Sequence, residues 1–351
     1  MNKILEEDID KFANEFKLGD KLNGKTILVT GATGLLGSCM VRCLLALNKM
    51  KFFNVNIISV VRNIQKAESL FGKESDCHKF YIYDFSSNKE FRPNYVIDYI
   101  IHFASPTASK YFIENPAETA TTILHGTERI LNFAKQQPVE SLIYVSSLEV
   151  YGTILDDSKT IKENESGYIN TLSTRSSYPL AKRMSECLCH AYASEYNMPI
   201  KIARLAQTFG AGVDTNDNRV FAQFAKSIIN HEDIILNTHG TLSRCYCYTT
   251  DAINGILYIM LRGDNGNAYN VANPNSYISI KDMADFICAE FGNGEKVIMQ
   301  LKDGMGYSPI TKLRLSTTAI SNLGWIPQYN LKTMFYRLIE SLKIDLNKHG
   351  I

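Results

Sequence analysis

Residues Thr26-Ile-Leu-Val-Thr30 run directly into Gly31-Ala-Thr33-Gly34-Leu35-Leu36-Gly37, and then into the apolar, helix-spaced stretch Ser38 to Leu47. Strand, glycine turn and helix in that order leave few architectures open. Gly31 permits a tight turn, Gly34 lets a pyrophosphate approach bare backbone, and Gly37 lets the helix pack closely on the strand. The helix N-terminus then offers unpaired N–H groups and a partial positive charge to phosphates. Gly31, Thr33, Gly34, Leu35, Leu36 and Gly37 are therefore candidates for holding a dinucleotide. Glycine triplets also occur in other α/β turns, so the strand before and the helix after carry this reading.

Composition fixes the class of protein around that unit. The chain has 351 residues, 45% hydrophobic and 21% charged, enough for one large α/β domain and a smaller lobe. Thirty-seven Lys and Arg against 36 Asp and Glu leave a net charge of +1, so nothing argues for nucleic acid or an anionic membrane as partner. The charged start, Met1 to Asp10, lacks the apolar centre of a signal peptide, and no apolar run approaches the ~20 residues of a spanning helix. A cytoplasmic protein is expected. Cys187-x-Cys189-His190 and Cys245-x-Cys247 have one residue between cysteines, where structural zinc sites use roughly two to four. No metal is expected, and the cysteines read as small buried hydrophobes.

Further strands and helices alternate along the chain. Asn54 to Val61 reads as a second buried strand ending at Arg62, where NAD sites carry an acidic residue for the ribose hydroxyls. An arginine there suits a 2′-phosphate and can also stack on the adenine of NAD, so the cofactor is NAD or NADP, with a lean to NADP. Phe80 to Phe85 reads as a third strand, bringing Asp84 and Phe85 to the adenine end. Tyr99 to Pro106 reads as a fourth, whose small Ala104 and Ser105 let backbone lie against the cofactor. After a helix from Pro116 to Gln136, Leu142 to Gly152 forms the fifth strand and its exit. The alternation implies an α/β protein with a Rossmann-type doubly wound parallel sheet. Three regions are expected: an N-terminal helical extension over 1–24, a dinucleotide-binding domain over 25–207, and a smaller substrate-binding lobe over 208–351. Within the last, about 244–272 returns to the first domain.

Ligands in such sheets bind beyond the carboxyl ends of the strands, which places Ser146, Ser147 and Glu149 where chemistry occurs. A polar segment, Thr153 to Ser177, follows, and Tyr178-Pro-Leu-Ala-Lys182 opens a helix running to about Tyr196. Tyr178 and Lys182 are four apart and share a helical face. Half-ionising a tyrosine at neutral pH requires lowering its pKa by about three units, or ~4 kcal/mol. One ammonium about 4 Å away, at an effective dielectric near 20, supplies that order of energy. On this reading Lys182 makes Tyr178 a usable base.

Gly31-x-x-Gly34-x-x-Gly37, Ser146-Ser147-Leu148-Glu149-Val-Tyr-Gly152 and Tyr178-x-x-x-Lys182, in this order, resemble the extended short-chain dehydrogenase/reductase family of NAD(P)-dependent nucleotide-sugar epimerases, dehydratases and decarboxylases. The resemblance runs from about Lys25 to Leu342. Within the family the chain resembles UDP-glucuronate decarboxylases, through Ala104-Ser-Pro, Glu165-Ser-Gly-Tyr-Ile-Asn170, Arg175 and Thr208-Phe-Gly210. It implies a nucleotide-sugar substrate whose hydroxyl meets Ser147 and Tyr178, a nicotinamide ribose held by Lys182, and a nucleotide diphosphate region held by Gln207, Arg219 and Arg244. It also implies a homodimer built on the Tyr178 helix. Two departures stand out: Gln207 replaces an asparagine, and Leu148 replaces a hydroxyl or acidic side chain. Leucine has no proton for a departing C6 hydroxyl, which weakens the dehydratase reading. Glu149 remains as a base at sugar C5 or as a residue that orients the ring.

Three readings follow. The first is an enzyme that oxidises the sugar at C4 and recycles its cofactor, with epimerisation favoured over elimination. The second is a net NADP(H)-dependent reductase or dehydrogenase, and the third a non-catalytic dinucleotide sensor. Ser147, Tyr178 and Lys182 argue against the third, since a sensor needs no phenolate.

Overall fold

The computed structural model describes residues 2–107, 109–302 and 309–348. Residue 1 of the expected N-terminal extension, and 303–308 and 349–351 of the expected C-terminal lobe, lie outside the described residues.

Helix α1 (Lys3–Glu15) starts where the Asn2 side chain accepts from the N–H groups of Ile4 and Leu5. The β-branched run Thr26–Thr30 forms β1, and α2 (Leu35–Lys51) follows the glycine turn. Next come β2 (Asn56–Val61), α3 (Ile64–Phe71), β3 (His78–Ile82), β4 (Tyr99–His102), the short α4 (Ser109–Glu114) and α5 (Pro116–Ala134). Then β5 (Ser141–Ser147) leads to α6 (Ser177–Tyr196) and β6 (Ile200–Leu205). The rest comprises β7 (Gln207–Phe209), α7 (Val220–Ile229), β8 (Ile234–Leu236), β9 (Ser243–Tyr248), α8 (Thr249–Arg262), β10 (Ala268–Val271) and β11 (Asn273–Ser279). Helix α9 (Ile280–Phe291), β12 (Val297–Met299), β13 (Lys312–Leu313), α10 (Thr318–Asn322) and α11 (Leu331–Lys348) complete the order.

Seven strands form the main sheet in the order β3-β2-β1-β4-β5-β6-β10, with every adjacent pair parallel. Their near-continuous burial is what helices on both faces require. Strand order reverses between β1 and β4, and the crevice beyond their carboxyl ends is the ligand position of such sheets. Strand β10 returns to this sheet from late in the chain. Strand β9 does not, pairing instead with β11, β13 and β7 in a second sheet, beside the β8–β12 pair. Helices α7, α9 and α11 enclose a separate core there, around Phe209, Phe221, Tyr246 and Phe335.

Helix α1 belongs to both halves. Leu5, Ile9, Phe12 and Phe16 join the core of the main sheet. Its buried Asp8 accepts from the Tyr248 hydroxyl at 2.5 Å and the Tyr329 hydroxyl at 3.2 Å, with Arg337 Nε at 2.6 Å, so the helix is pinned to the second lobe as well.

Several local expectations change, β4 among them, which stops at His102 rather than Pro106. Helix α2 begins at Leu35 rather than Ser38, because Gly34 in extended conformation is its N-cap and places Gly37 in the first turn. Strand β3 stops at Ile82 rather than Phe85: the Asp84 carboxylate accepts from Ser86 N and Oγ and turns the chain. The cysteines divide. Cys39, Cys43, Cys189, Cys245 and Cys247 are buried, whereas Cys187 is exposed, on the side of α6 away from Cys189.

Candidate active site

The glycine turn sits at the carboxyl end of β1. Gly31 has φ +64°, and a Cβ there would lie 2.9 Å from Ala104 N. A Cβ on Gly37 would lie 2.2 Å from Gly31 O, so only glycine allows the first turn of α2 to close on the loop. Gly34 differs, because its added Cβ would meet Gly31 O alone, at 3.3 Å. It is exposed, leaving bare backbone and the α2 N-terminus for a phosphate. Thr33 is half-buried, while Leu35 packs towards the second core and Leu36 towards the first.

Beside the turn, Thr30 Oγ1 accepts from Ala104 N at 3.1 Å and meets His102 Nδ1 at 2.8 Å, fixing the exit of β4 against β1. Burial first, and then the Lys182 charge, push His102 down to about 3, so its ring is neutral. Ser105 Oγ donates to Pro106 O. Arg62 stands exposed just past β2. Phe85 packs its ring on His102 within the core, and its carbonyl accepts from Arg129 at 2.7 Å.

Ser147 is the last residue of β5. Its Oγ accepts from Glu149 N at 3.2 Å, capping a single 3-10 turn, Leu148–Tyr151, and the hydroxyl acts to lower the Tyr178 pKa. Leu148 is buried in the first core. Arg183 binds that turn to the segment that follows it. Its guanidinium donates to Val150 O at 2.6 Å and Gly167 O at 2.8 Å.

The Lys182 ammonium is placed differently from the expectation. It donates to Val145 O at 2.9 Å and lies 4.9 Å from the Tyr144 ring centroid, but 5.9 Å from that of Tyr178. Burial pushes Lys182 down to about 8. Burial also raises Tyr178, and the Glu149 carboxylate raises it further, against the opposing Ser147 hydrogen bond and Arg175 charge. The chain's own groups therefore hold the phenol protonated. The simple reading in which Lys182 alone ionises Tyr178 omitted the cost of burying a phenolate.

Sequence reasoning gave no role to Phe112. Its ring, on α4, stacks on Tyr178 with centroids 4.3 Å apart and planes within 10°. On its other contact the Arg175 guanidinium lies 5.3 Å from the Phe112 centroid and reaches Glu149 Oε1 at 2.8 Å. Tyr178, Phe112, Arg175 and Glu149 thus form a connected series of contacts, with Ser147 capping the turn that carries Glu149. Glu149 is held by an arginine at the mouth of the crevice.

The expected diphosphate residues are only partly brought together. Arg244, on β9, reaches Gln207 Oε1 at 3.4 Å across the β7–β9 pairing, and its buried Nε has no hydrogen-bond partner among the described residues. Arg219 is bound locally instead, to Asp217 through Nε at 3.0 and 3.1 Å, over the Phe221 ring. Among the described residues there is no cluster of three or more potential metal ligands, and no helix is long and apolar enough to cross a membrane.

Residues 27–272 match the NAD-dependent epimerase/dehydratase family. Among similar proteins, the UDP-glucuronic acid decarboxylase 6 of Arabidopsis thaliana is 29% identical over 73% of this chain and 71% of its own length. Decarboxylase 5 of the same plant is 28% identical over 72% of each. The UDP-glucose 4-epimerase of Thermotoga maritima, solved with UDP-glucose, superposes with a TM-score of 0.75 over 92% of this chain and 99% of its own, at 20% identity. The dTDP-glucose 4,6-dehydratase of Streptomyces venezuelae, solved with NAD, gives 0.76 over 92% and 98%, at 21%. At these identities the two structures establish the shared fold.

Proposed function

Because the chain belongs to the NAD-dependent epimerase/dehydratase family, we propose that it oxidises the sugar of a nucleotide sugar at C4 and regenerates its cofactor in the same turnover. The observation that carries this reading is the convergence of Ser147, Tyr178 and Lys182 at the carboxyl end of β5, beside a glycine turn that admits no side chain at Gly31 or Gly37. When bound, the nicotinamide dinucleotide supplies the acceptor for the C4 hydride and then its donor. Every other function falls to the chain. Tyr178, as the phenolate left once its own proton has passed to solvent, takes the proton of the 4-hydroxyl and later returns it, with Ser147 fixing the hydroxyl. Lys182 contributes a positive charge that favours the ionised phenol at the moment of transfer. The Arg244 Nε, without a partner among the described residues, suits a diphosphate oxygen together with Gln207.

The 4-keto sugar acidifies the C5 proton and labilises any C5 carboxylate. Elimination of a C6 hydroxyl needs an acid that Leu148 does not provide, so C4 epimerisation is the outcome we favour over dehydration. The relatives that act as decarboxylases keep UDP-glucuronate among the substrates to test first. The exposed Arg62 favours a second reading, a net NADP(H)-dependent reductase. In Arg62→Ala the NADP affinity is expected to fall relative to NAD, and an unchanged ratio assigns NAD. A homodimer on the α6 face accords with the exposed Met184.

The test is absorbance near 340 nm, a wavelength set by the reduced nicotinamide, on protein incubated with UDP-, dTDP-, GDP- and CDP-sugars. Formation limited to one equivalent, with sugar conversion continuing, supports recycling, and sustained growth supports net oxidation. Tyr178→Phe is expected to lower turnover by about 10²–10⁴-fold. Unchanged turnover in that variant removes the assignment.

A further inference from the structure

At the edge of the main sheet opposite the glycine turn, the amino ends of β1, β4, β5 and β6 border a cavity of about 420 Å³. Lys201, the second residue of β6, lines it with only 5% of its surface exposed. Its ammonium makes one hydrogen bond, to Ser141 Oγ at 2.8 Å, although it carries three donors. That partner is neutral, and among the described residues no carboxylate stands within 4 Å of the ammonium. Burial accordingly pushes Lys201 down to about 8, opposed only by the more distant charge of Asp264.

The neighbouring acids are already engaged. Glu140 pairs with Lys25 and accepts from the Tyr99 hydroxyl at 2.7 Å. Asp98 lies 3.6 Å from Lys25 and accepts from Thr26 N at 2.7 Å. Lys21 stands on the exposed rim, and Met260 and Leu261 supply an apolar wall. A buried cation without a counter-charge is a standing cost unless something anionic completes it.

We propose that this cavity is a second ligand site, separate from the dinucleotide crevice, that takes the phosphate group of a small ester or free phosphate. Lys201 and Lys21 meet the phosphate oxygens from two sides, and the space beyond, along Met260 and Leu261, accommodates the body of an ester. Strand β6 spans the two sites, with Lys201 at one end and Leu205, which leads to Gln207, at the other.

The experiment is thermal unfolding of the full chain, in parallel with Lys201→Met, in rising inorganic phosphate or glucose 1-phosphate, with chloride matching the ionic strength. The parent Tm is expected to rise and saturate with phosphate. The Lys201→Met protein is expected to melt no lower than the parent in chloride, since a buried charge has been removed, and to bind phosphate about tenfold or more weakly. A stronger response to glucose 1-phosphate identifies the ester as the ligand, and an equal response identifies the ion. A variant that responds to phosphate as the parent does overturns the proposal, as does a parent that does not respond. Should Lys201→Met fail to fold, amine labelling of the parent read by mass spectrometry decides: phosphate must protect Lys201 while leaving Lys49 and Lys51 labelled, and equal labelling of Lys201 overturns the site.

Discussion

Burial is the main force holding the Tyr178 proton, and two charged neighbours of opposite sign adjust it, Glu149 raising its pKa and Arg175 lowering it. A rate that requires ionised Tyr178 climbs as pH rises through that pKa. Glu149→Gln should therefore move the rising limb of kcat/KM to lower pH, and Arg175→Met should move it to higher pH, each by about one unit. Shifts in the same direction would refute the electrostatic assignment. Phe112→Leu tests the stack, which orients the ring without touching substrate. Loss of a contact of about 0.5–1.5 kcal/mol should lower kcat by roughly two- to tenfold while KM holds, and Phe112→Tyr should restore it. Tyr178 and Lys182 were legible because four residues on a helix fix a common face. Phe112 was not, because it reaches Tyr178 from α4, on another branch of the fold, and nothing in the local spacing encodes that stack.

At the scale of the strand-turn-helix unit, the glycines divide the work of closing the loop and admitting a phosphate. Gly37→Ala forces a methyl to 2.2 Å from Gly31 O, so the backbone of α2 or the turn must move. A cost of about 1–3 kcal/mol is expected, seen as a lower urea midpoint. Gly34→Ala meets only one atom, at 3.3 Å, so stability should hold while dinucleotide affinity falls. Titration of both variants with NAD and NADP separates the effects, and a Gly34→Ala protein with parental affinity would exclude close phosphate approach at that residue. Five of the seven sheet strands were readable because buried parallel strands are continuous apolar runs bounded by glycine and polar turns, while β6 and β10 emerge only from the fold. Element ends were less so. The helix began early because Gly34 caps it, and β3 ended early because Asp84 bonds to Ser86, both decided by single polar contacts. The second sheet escaped because β7 and β13 are short and, with β9, are drawn from distant segments.

Over the whole molecule, buried titratable groups pull stability in opposite directions with pH. His78 is buried against Ser59 Oγ at 2.8 Å, and burial lowers it from the usual 6.5 to about 4. Its neutral form is the folded form, so its contribution is present above 6.5 and is lost as pH falls towards 4, by on the order of 3 kcal/mol. Asp251 behaves in reverse. It accepts from the backbone N–H groups of Gln328 and Tyr329, yet burial outweighs those bonds and raises it to about 7. Its contribution is complete below the usual carboxylate value near 4 and is lost as pH rises through 7, by on the order of 4 kcal/mol. Acidification from neutral to pH 4 therefore weakens the chain through its histidines, His102 included, while Asp251 offsets part of the loss. Urea unfolding at several pH values between 4 and 7.5 should show that His78→Phe flattens the acid decline. Asp251→Asn should steepen it, because the compensating proton uptake by the folded state is gone. If both substitutions move the slope the same way, the assignment of opposite protonation states to His78 and Asp251 fails.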